Sequence, residues 1–342
     1  MNGKLGLGMA NNARMTEMSE CLADAPKEIL PSKFWEGLNQ RHLALLEEFG
    51  YQNFKRTLST TYFTFLPGLR HVQTQTLMKN LPPALVLKSF IKALRVKRHD
   101  FFSYKESFYY NFFTYLLWDY VRTRSTGNDL AKLAEPLEGN PLKLYVGKKL
   151  ISQDLANSFL EFKAILDSGI NRSAIKTVME LGAGYGRTAY VFLELLPDVK
   201  YIIVDFPPAL FISETYLSNQ FPKKKIFKFR PFDSYTEIEA ELSKADIAFF
   251  LPTQIHRIPK KSIDLFISIS SFHEMRLDQI HYYFDRIDEL SNYLYFKQSK
   301  ISHPYEARSI LESDYPVRQA WDKIFWRDCP VQPSCFEALL SL

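Results

Sequence analysis

The chain holds little cysteine for its 342 residues. Its three cysteines, Cys21, Cys329 and Cys335, are scattered. That excludes a disulfide-stapled scaffold and a cysteine zinc site, and it suits a reducing compartment. Long apolar runs are also missing. No stretch approaches the ~18 consecutive apolar residues that cross a bilayer, and the N-terminus lacks a charged-then-apolar export pattern. The expectation is a soluble, cytoplasmic protein with no transmembrane segment. Charge of one sign is never concentrated. The net charge is +5, the densest basic run is Lys223 to Lys225 after Pro222, and Arg95, Lys97, Arg98 and His99 make a second small patch. Neither is the extended basic stripe that nucleic-acid binding needs, so no nucleic-acid partner is expected. No carboxylate cluster stands at recognisable metal-ligand spacing, so no metal is expected.

The apolar share of 46% and charged share of 24% are those of a globular chain, and its length allows two domains. Aromatics are abundant at 15%, enough for a large core and for pockets that take flat or sugar-like ligands. Residues 1–32 are polar with little periodicity and read as a loose N-terminal arm. Residues 33–140 read as a helical cap or substrate domain. Its apolar stripes run through Leu43, Leu45, Leu46 and Phe49, through Ala84, Leu85, Leu87, Phe90, Ile91 and Leu94, and through Tyr109, Phe112, Phe113, Leu116, Leu117 and Tyr120. The aromatic, hydroxyl-rich stretch 54–65 is expected to be extended. Gly139, Asn140 and Pro141 punctuate the chain before the domain at 141–342.

That domain is built around VMELGAGYGR, Val178 to Arg187. An apolar lead-in reaches Glu180, then Gly182, Ala183, Gly184 and Gly186 form a turn, and apolar residues follow at helical spacing. Strand, glycine turn and helix open a nucleotide-binding α/β unit. Glycine permits positive φ and lets a ligand approach the backbone. The spacing is G-x-G-x-G, not the G-x-G-x-x-G of dinucleotide enzymes, which argues against a nicotinamide oxidoreductase. A second buried strand, Lys200 to Val204, ends at Asp205 with Phe206 beside it. Asp205 stands 19 residues after Gly186, near the position from which a carboxylate accepts ribose hydroxyl hydrogen bonds. The helix expected after Ser152 carries Asp154, Asn157 and Ser158 as polar pocket candidates. Ile226 to Phe229 reads as the third strand and leads to Asp233, placed near an adenine amino group. Leu265 to Ile269 reads as strand four, with Ile247 to Leu251 an extra strand or part of a long connection. Strand four delivers Ser270, His273 and Glu274 to a sheet end where open parallel sheets bind ligands. Strand five, Tyr293 to Phe296, ends in Lys297 and Gln298, and the tail suits a final antiparallel hairpin.

The glycine turn resembles motif I of class I methyltransferases, which bind S-adenosylmethionine. Together ELGAGYGR, YIIVDFPPAL, SISSFHEM and YLYFKQ resemble the bacterial sugar O-methyltransferase family over about Gly147 to Phe336. The resemblance implies a Rossmann-like class I sheet, seven-stranded and mostly parallel with an antiparallel last strand. It implies S-adenosyl-L-methionine as cofactor, and methyl transfer to a hydroxyl of a sugar or glycan precursor. A non-sugar small molecule, or cofactor binding without catalysis, is the alternative; a homodimer is one open oligomeric expectation. The DFPP string sits after strand two, not strand four, so it is not the motif of enzymes that methylate exocyclic amines. In this scheme Glu180 fixes the glycine loop or meets the cofactor's ammonium group, and Asp205 holds the ribose. His273 is the candidate general base and Glu274 orients it or binds substrate. Arg187, Lys297, Gln298 and Asn157 are expected at the acceptor, the two cations facing an acidic sugar or a phosphate-linked carrier.

Overall fold

A computed structural model describes residues 13–22, 25–58, 67–100, 102–125, 127–303 and 309–342. Helix α1 covers residues 13–20. It is followed by α2 (Lys33–Phe49), α3 (Phe54–Thr57), α4 (Pro67–Asn80), α5 (Pro83–Leu94), α6 (Tyr104–Arg124) and α7 (Asp129–Lys132). A small hairpin, β1 (Leu144–Val146) and β2 (Lys149–Ile151), leads to α8 (Gln153–Leu166). The alternating part then runs β3 (Thr177–Leu181), α9 (Arg187–Leu195), β4 (Lys200–Val204), α10 (Ala209–Gln220), β5 (Ile226–Phe227), α11 (Glu239–Leu242), β6 (Ile247–Phe250), β7 (Ile263–Ile269), α12 (Leu277–Leu290) and β8 (Ser291–Ser299). The two-residue strands β9 (Ile301–Ser302) and β10 (Ile310–Leu311) pair together, and β11 (Asp322–Asp328) and β12 (Cys335–Ser341) close the chain.

Eight strands form one sheet in the order β11-β12-β8-β7-β3-β4-β6-β5. From β5 to β8 every neighbour is parallel, and β12 and β11 add an antiparallel hairpin. This is the expected Rossmann-like sheet, mostly parallel with an antiparallel end, with one strand added. The addition corrects the assignment of the middle strands. Ile247–Phe250 is an integral strand paired with β4, and the expected third strand is the two-residue edge β5, outside it. All four β6 residues are buried, whereas β5 follows Lys223 to Lys225 and is buried at one residue of two. A wholly apolar run suits the interior of a parallel sheet, and a short run beside lysines suits its edge.

The helical part is organised by α6. Thirteen of its residues, from Ser107 to Val121, are buried. Such a helix is apolar on all sides and lies in the middle of its neighbours. A reciprocal cap starts it: Ser103 Oγ accepts from Glu106 N at 3.2 Å, and Ser103 N donates to Glu106 Oε2 at 2.7 Å. The helix packs on α4, α5 and α8, and α8 packs on α9, so one core runs from the helices into the sheet.

Three local expectations differ from the structure. The stripe on α5 turns outward: Leu87, Phe90, Ile91 and Leu94 are exposed, because α5 meets α6 through Ser89 and Ala93. Tyr109 of α6 is likewise exposed. Of the stretch expected to be extended, Phe54–Thr57 is helical and residues 59–65 lie outside the described residues. The arm expected to be loose is helical over 13–20, with Met15, Met18 and Leu22 in the main core; residues 1–12 lie outside the described residues.

Candidate functional site

The glycine turn leaves the end of β3 with three left-handed residues, Gly182 (φ 74°), Gly184 (φ 60°) and Gly186 (φ 86°). Gly182 N donates to Val204 O at 2.9 Å, and Gly186 caps the nine-residue helix α9. A Cβ on Gly182 would stand 2.0 Å from Ser271 Oγ and 2.7 Å from Ser271 Cβ. Rotating the serine hydroxyl away therefore leaves a clash. Ser271 ties the two strand ends together, its Oγ lying 3.2 Å from Leu181 O and 3.3 Å from Gly182 O. Gly182→Ala adds this clash to left-handed strain and is expected to cost at least ~2 kcal/mol in chemical denaturation. An unchanged denaturation midpoint would show that the turn is not held as described.

Asp205 braces the turn. Its Oδ2 accepts from Gly184 N at 2.8 Å and its Oδ1 from Phe206 N at 2.7 Å. Each oxygen retains a second lone pair for a ligand hydroxyl. Burial pushes the carboxyl up to about 7, against the pull of those two N–H groups, and the nearby Glu180 adds to the rise. Glu180 accepts from Tyr201 Oη at 2.7 Å and is itself pushed up to about 7 by burial. The hydroxyl of Tyr283 on α12 is buried and has no hydrogen-bond partner among the described residues, and it feels the Asp205 charge.

Opposite the turn, β7 ends at Ile269 and is followed by Ser270, whose φ is 59° and whose N–H donates to Lys297 O at 2.8 Å. A left-handed serine is uncommon strain held by its surroundings. A short turn, Phe272–Glu274, follows. Gln298 Nε2 donates to Ser268 O at 3.1 Å, which presents Oε1 to His273. That oxygen accepts from His273 N at 3.2 Å and from Nδ1 at 2.9 Å. Ser299 N also lies 3.4 Å from Nδ1, a contact that asks for the other tautomer; the shorter contact to the amide oxygen puts the proton on Nδ1 and leaves Nε2, 3.7 Å from Glu274 Oε1, as the acceptor nitrogen. Burial lowers the His273 ring to about 4, against the lift from Gln298. Burial and then the Asp205 carboxylate push Glu274 up to about 8. That coupling places the acids from the second and fourth strands of the core around one space.

Three residues expected at the acceptor are committed elsewhere. Arg187 donates from Nη1 to Glu161 Oε2 at 2.6 Å and to Ser158 Oγ at 2.7 Å. Lys297 Nζ reaches the other oxygen, Glu161 Oε1, at 2.8 Å. A buried carboxylate needs such partners. Burial alone would raise Glu161, but Arg187 and Lys297 together hold its carboxyl below the ordinary range. Gln298 is fully buried and orients His273. Asn157 is buried on α8 beside Ser158, and Asp154 accepts from Tyr185 Oη at 3.0 Å. Asp233 is displaced: it is exposed and follows the edge strand, one strand farther out than expected, because β6 occupies the place beside β4.

Two contributors were missed. Glu161 anchors both cations. Residues 27–32 lie against the turn after β7: Ser32 Oγ donates to Glu274 O at 3.4 Å, Arg276 Nη2 to Lys27 O at 2.7 Å and Gln279 Nε2 to Leu30 O at 2.8 Å. At its other end α1 places Arg14 on Glu214 and on Phe229 O. The segment thus joins elements on both sides of the glycine turn. Its signal was the spacing of Met15, Met18 and Leu22, which share one helical face. Among the described residues no group of three or more His, Cys, Asp or Glu side chains could hold a metal ion.

No family model matches the chain, and no curated protein matches it. Among solved structures it is similar to a SAM dependent methyltransferase from Aquifex aeolicus, at 12% identity and TM-score 0.33, covering 53% of this chain and 89% of that one. It is similar to an S-adenosylmethionine-dependent methyltransferase from Clostridium acetobutylicum ATCC 824, at 12% identity and TM-score 0.36, covering 56% and 91%. A third is the glycopeptide N-methyltransferase MtfA complexed with (S)-adenosyl-L-methionine, at 14% identity and TM-score 0.37, covering 54% and 93%.

Proposed function

We propose that the chain is an S-adenosylmethionine-dependent methyltransferase whose acceptor is a hydroxyl of a sugar or glycan precursor, acting in the cytoplasm. One observation carries the cofactor: Asp205 holds the left-handed glycine turn through Gly184 N, with lone pairs left for ribose hydroxyls. The orphaned Tyr283 hydroxyl and the N-terminus of α9 fit the same ligand, the latter suiting its carboxylate. The cofactor supplies an electrophilic methyl group on a sulfonium. The chain's own work is to orient the acceptor oxygen in line with it and to take the hydroxyl proton. His273 Nε2 and the Glu274 carboxylate form one proton-accepting pair at the strand end, with Gln298 fixing the ring. Glu274, near 8, is the more basic member, and His273, near 4, stays neutral and orients. The sugar hydroxyl as acceptor is supported by the resemblance of SSFHEM and DFPPAL to the sugar O-methyltransferase family.

Calorimetric titration with S-adenosylmethionine and its demethylated product tests the reading. Wild type should bind both, and Asp205→Ala should weaken binding by roughly 10–100-fold, the worth of one or two charge-assisted hydrogen bonds. Folded wild type that binds neither, but binds NAD(H), would overturn it.

A further inference from the structure

The helical part contains a second concavity that methyl transfer does not use. It is a cavity of about 420 Å³ whose lining includes Arg56, Lys97, Arg98, Lys143, Tyr115 and Tyr145. The turn after α5 meets α3 and the strand β1 here. The wall is built, not incidental. Arg56 Nε donates to Asn140 O at 2.9 Å and its Nη1 to Asp100 Oδ2 at 3.2 Å. Buried His99 bonds Asn111 Oδ1 through Nε2 at 2.6 Å, which pins the turn that carries Lys97 and Arg98. Tyr115 Oη donates to Tyr145 O at 3.4 Å, which fixes β1 against α6.

The charge is unbalanced. Four cationic side chains line the cavity against one carboxylate, Asp100, which Arg56 already engages. Among the described residues neither Lys97 nor Lys143 forms an ion pair with an acidic side chain. Burial lowers Lys143, and the adjacent Arg56 and Lys55 lower it further. Crowded like charges of this kind are relieved by an anion. His99 is also lowered by burial, so the imidazole adds no charge at neutral pH. Tyr145 presents an aromatic side chain that is 47% exposed. A cluster of cations beside an exposed ring, in a cavity of ordinary ligand size, matches a molecule that joins phosphates to a flat ring.

We propose that this cavity binds a nucleoside diphosphate, with the phosphates on Lys97, Arg98 and Lys143 and the base against Tyr145. The assignment deepens the methyltransferase reading and rests on it for its purpose: the nucleotide is the handle of a sugar acceptor. The helix that carries Arg56 also reaches toward the glycine turn, since the neighbouring Lys55 lies 5.1 Å from the Tyr185 ring centroid and is paired with Glu135. Cationic recognition of the acceptor, assigned from the sequence to Arg187 and Lys297, thereby moves to residues that no buried carboxylate holds.

The test is calorimetric titration of the full chain with uridine diphosphate, inorganic pyrophosphate and uridine, at low and high salt. Uridine diphosphate should bind with an affinity that falls with salt, pyrophosphate more weakly, and uridine not measurably. Lys97→Glu/Lys143→Glu, changes at two exposed positions, should weaken uridine diphosphate by at least about tenfold while thermal stability and S-adenosylmethionine affinity stay unchanged. Tyr145→Ala should weaken uridine diphosphate and leave pyrophosphate alone. Wild type that binds no uridine diphosphate overturns the proposal, as does a double variant that binds like wild type. Equal binding of pyrophosphate and uridine diphosphate with a silent Tyr145→Ala would mean a simple phosphate site. Tighter, lysine-dependent binding of single-stranded RNA would mean a nucleic-acid surface. Uridine diphosphate binding without any S-adenosylmethionine binding would sink the methyltransferase reading and leave the nucleotide site standing.

Discussion

Glu161→Ala should destabilise the protein by about 3–5 kcal/mol, the range for removing one partner of a buried ion pair. Glu161 is buried on α8 and receives Arg187 from α9 and Lys297 from β8. Removing its carboxylate leaves two interior cations without an ion-pair partner among the described residues. Both are now raised against burial, Arg187 by Coulomb attraction and hydrogen bonding to Glu161, and Lys297 by the neighbouring Cys329 and then by Glu161. Without it, burial alone would favour their neutral forms, which the lysine reaches and the guanidinium does not. A graded series separates this from a packing effect. Glu161→Gln keeps the shape and should fall between wild type and alanine. Glu161→Leu with Arg187→Met and Lys297→Met removes every charge together and should be milder than Glu161→Ala. Chemical denaturation of the four proteins reads the order directly. A Glu161→Ala loss below about 1 kcal/mol, the usual scale of an exposed pair, would show that solvent reaches the triad.

The triad also marks where sequence stops being informative. Glu161 is 26 residues from Arg187 and 136 from Lys297, so nothing local in the chain tells either cation where to go. A buried carboxylate took them before any ligand could. The bond from Gln298 to His273 is equally invisible, since the two lie 25 residues apart, the histidine in the turn after β7. By contrast, Gly182, Gly184 and Gly186 read correctly as a turn because positive φ is a property of single residues. Asp205 was placed at a strand end because the strand period and its apolar run are local as well. The strand order beyond β4 was not legible. Ile226-Phe227 and Ile247–Phe250 are both short apolar runs, and pairing alone decides which one stands inside. Asp233 moved outward with that decision. The α5 stripe had the right period but the wrong direction, since period does not say which face meets the core.

Stability should fall as pH rises from about 6.5 to 8.5, and cofactor should reverse the fall. His42 and His273, lowered to about 4 by burial, act the other way: the unfolded chain, with imidazoles near ~6.5, still holds part of their protons at pH 6.5, so each adds roughly 0.4 kcal/mol to stability as pH rises to about 7.5 and nothing above it. Of the carboxyls raised in the folded state, Asp205 and Glu180, near 7, and Glu274, near 8, fall inside this window, while Asp154, near 6, lies below it. Unfolded, all three are ionised throughout this window. The folded protein therefore binds more protons than the unfolded one. By linkage its stability is greatest on the acid side of these values and is lost as pH rises through them. At about 1.4 kcal/mol for each tenfold difference in proton affinity, the three together lose roughly 3.5 kcal/mol between 6.5 and 8.5, and the two histidines offset just under ~1 of it, leaving about 2.5 kcal/mol. For a chain of this length that is a melting shift of about 3–4 °C. Removing one contributor, with Glu274→Gln, should flatten the slope. S-adenosylmethionine brings a sulfonium and an ammonium group and offers ribose hydroxyls to Asp205, so it favours the ionised carboxylates. The stabilisation it confers should be larger at pH 8.5 than at 6.5. Melting curves with and without the cofactor, across that range, measure both effects. A flat apo profile would mean that the three acids are ionised already at 6.5, and a pH-independent cofactor increment would place the cofactor away from them.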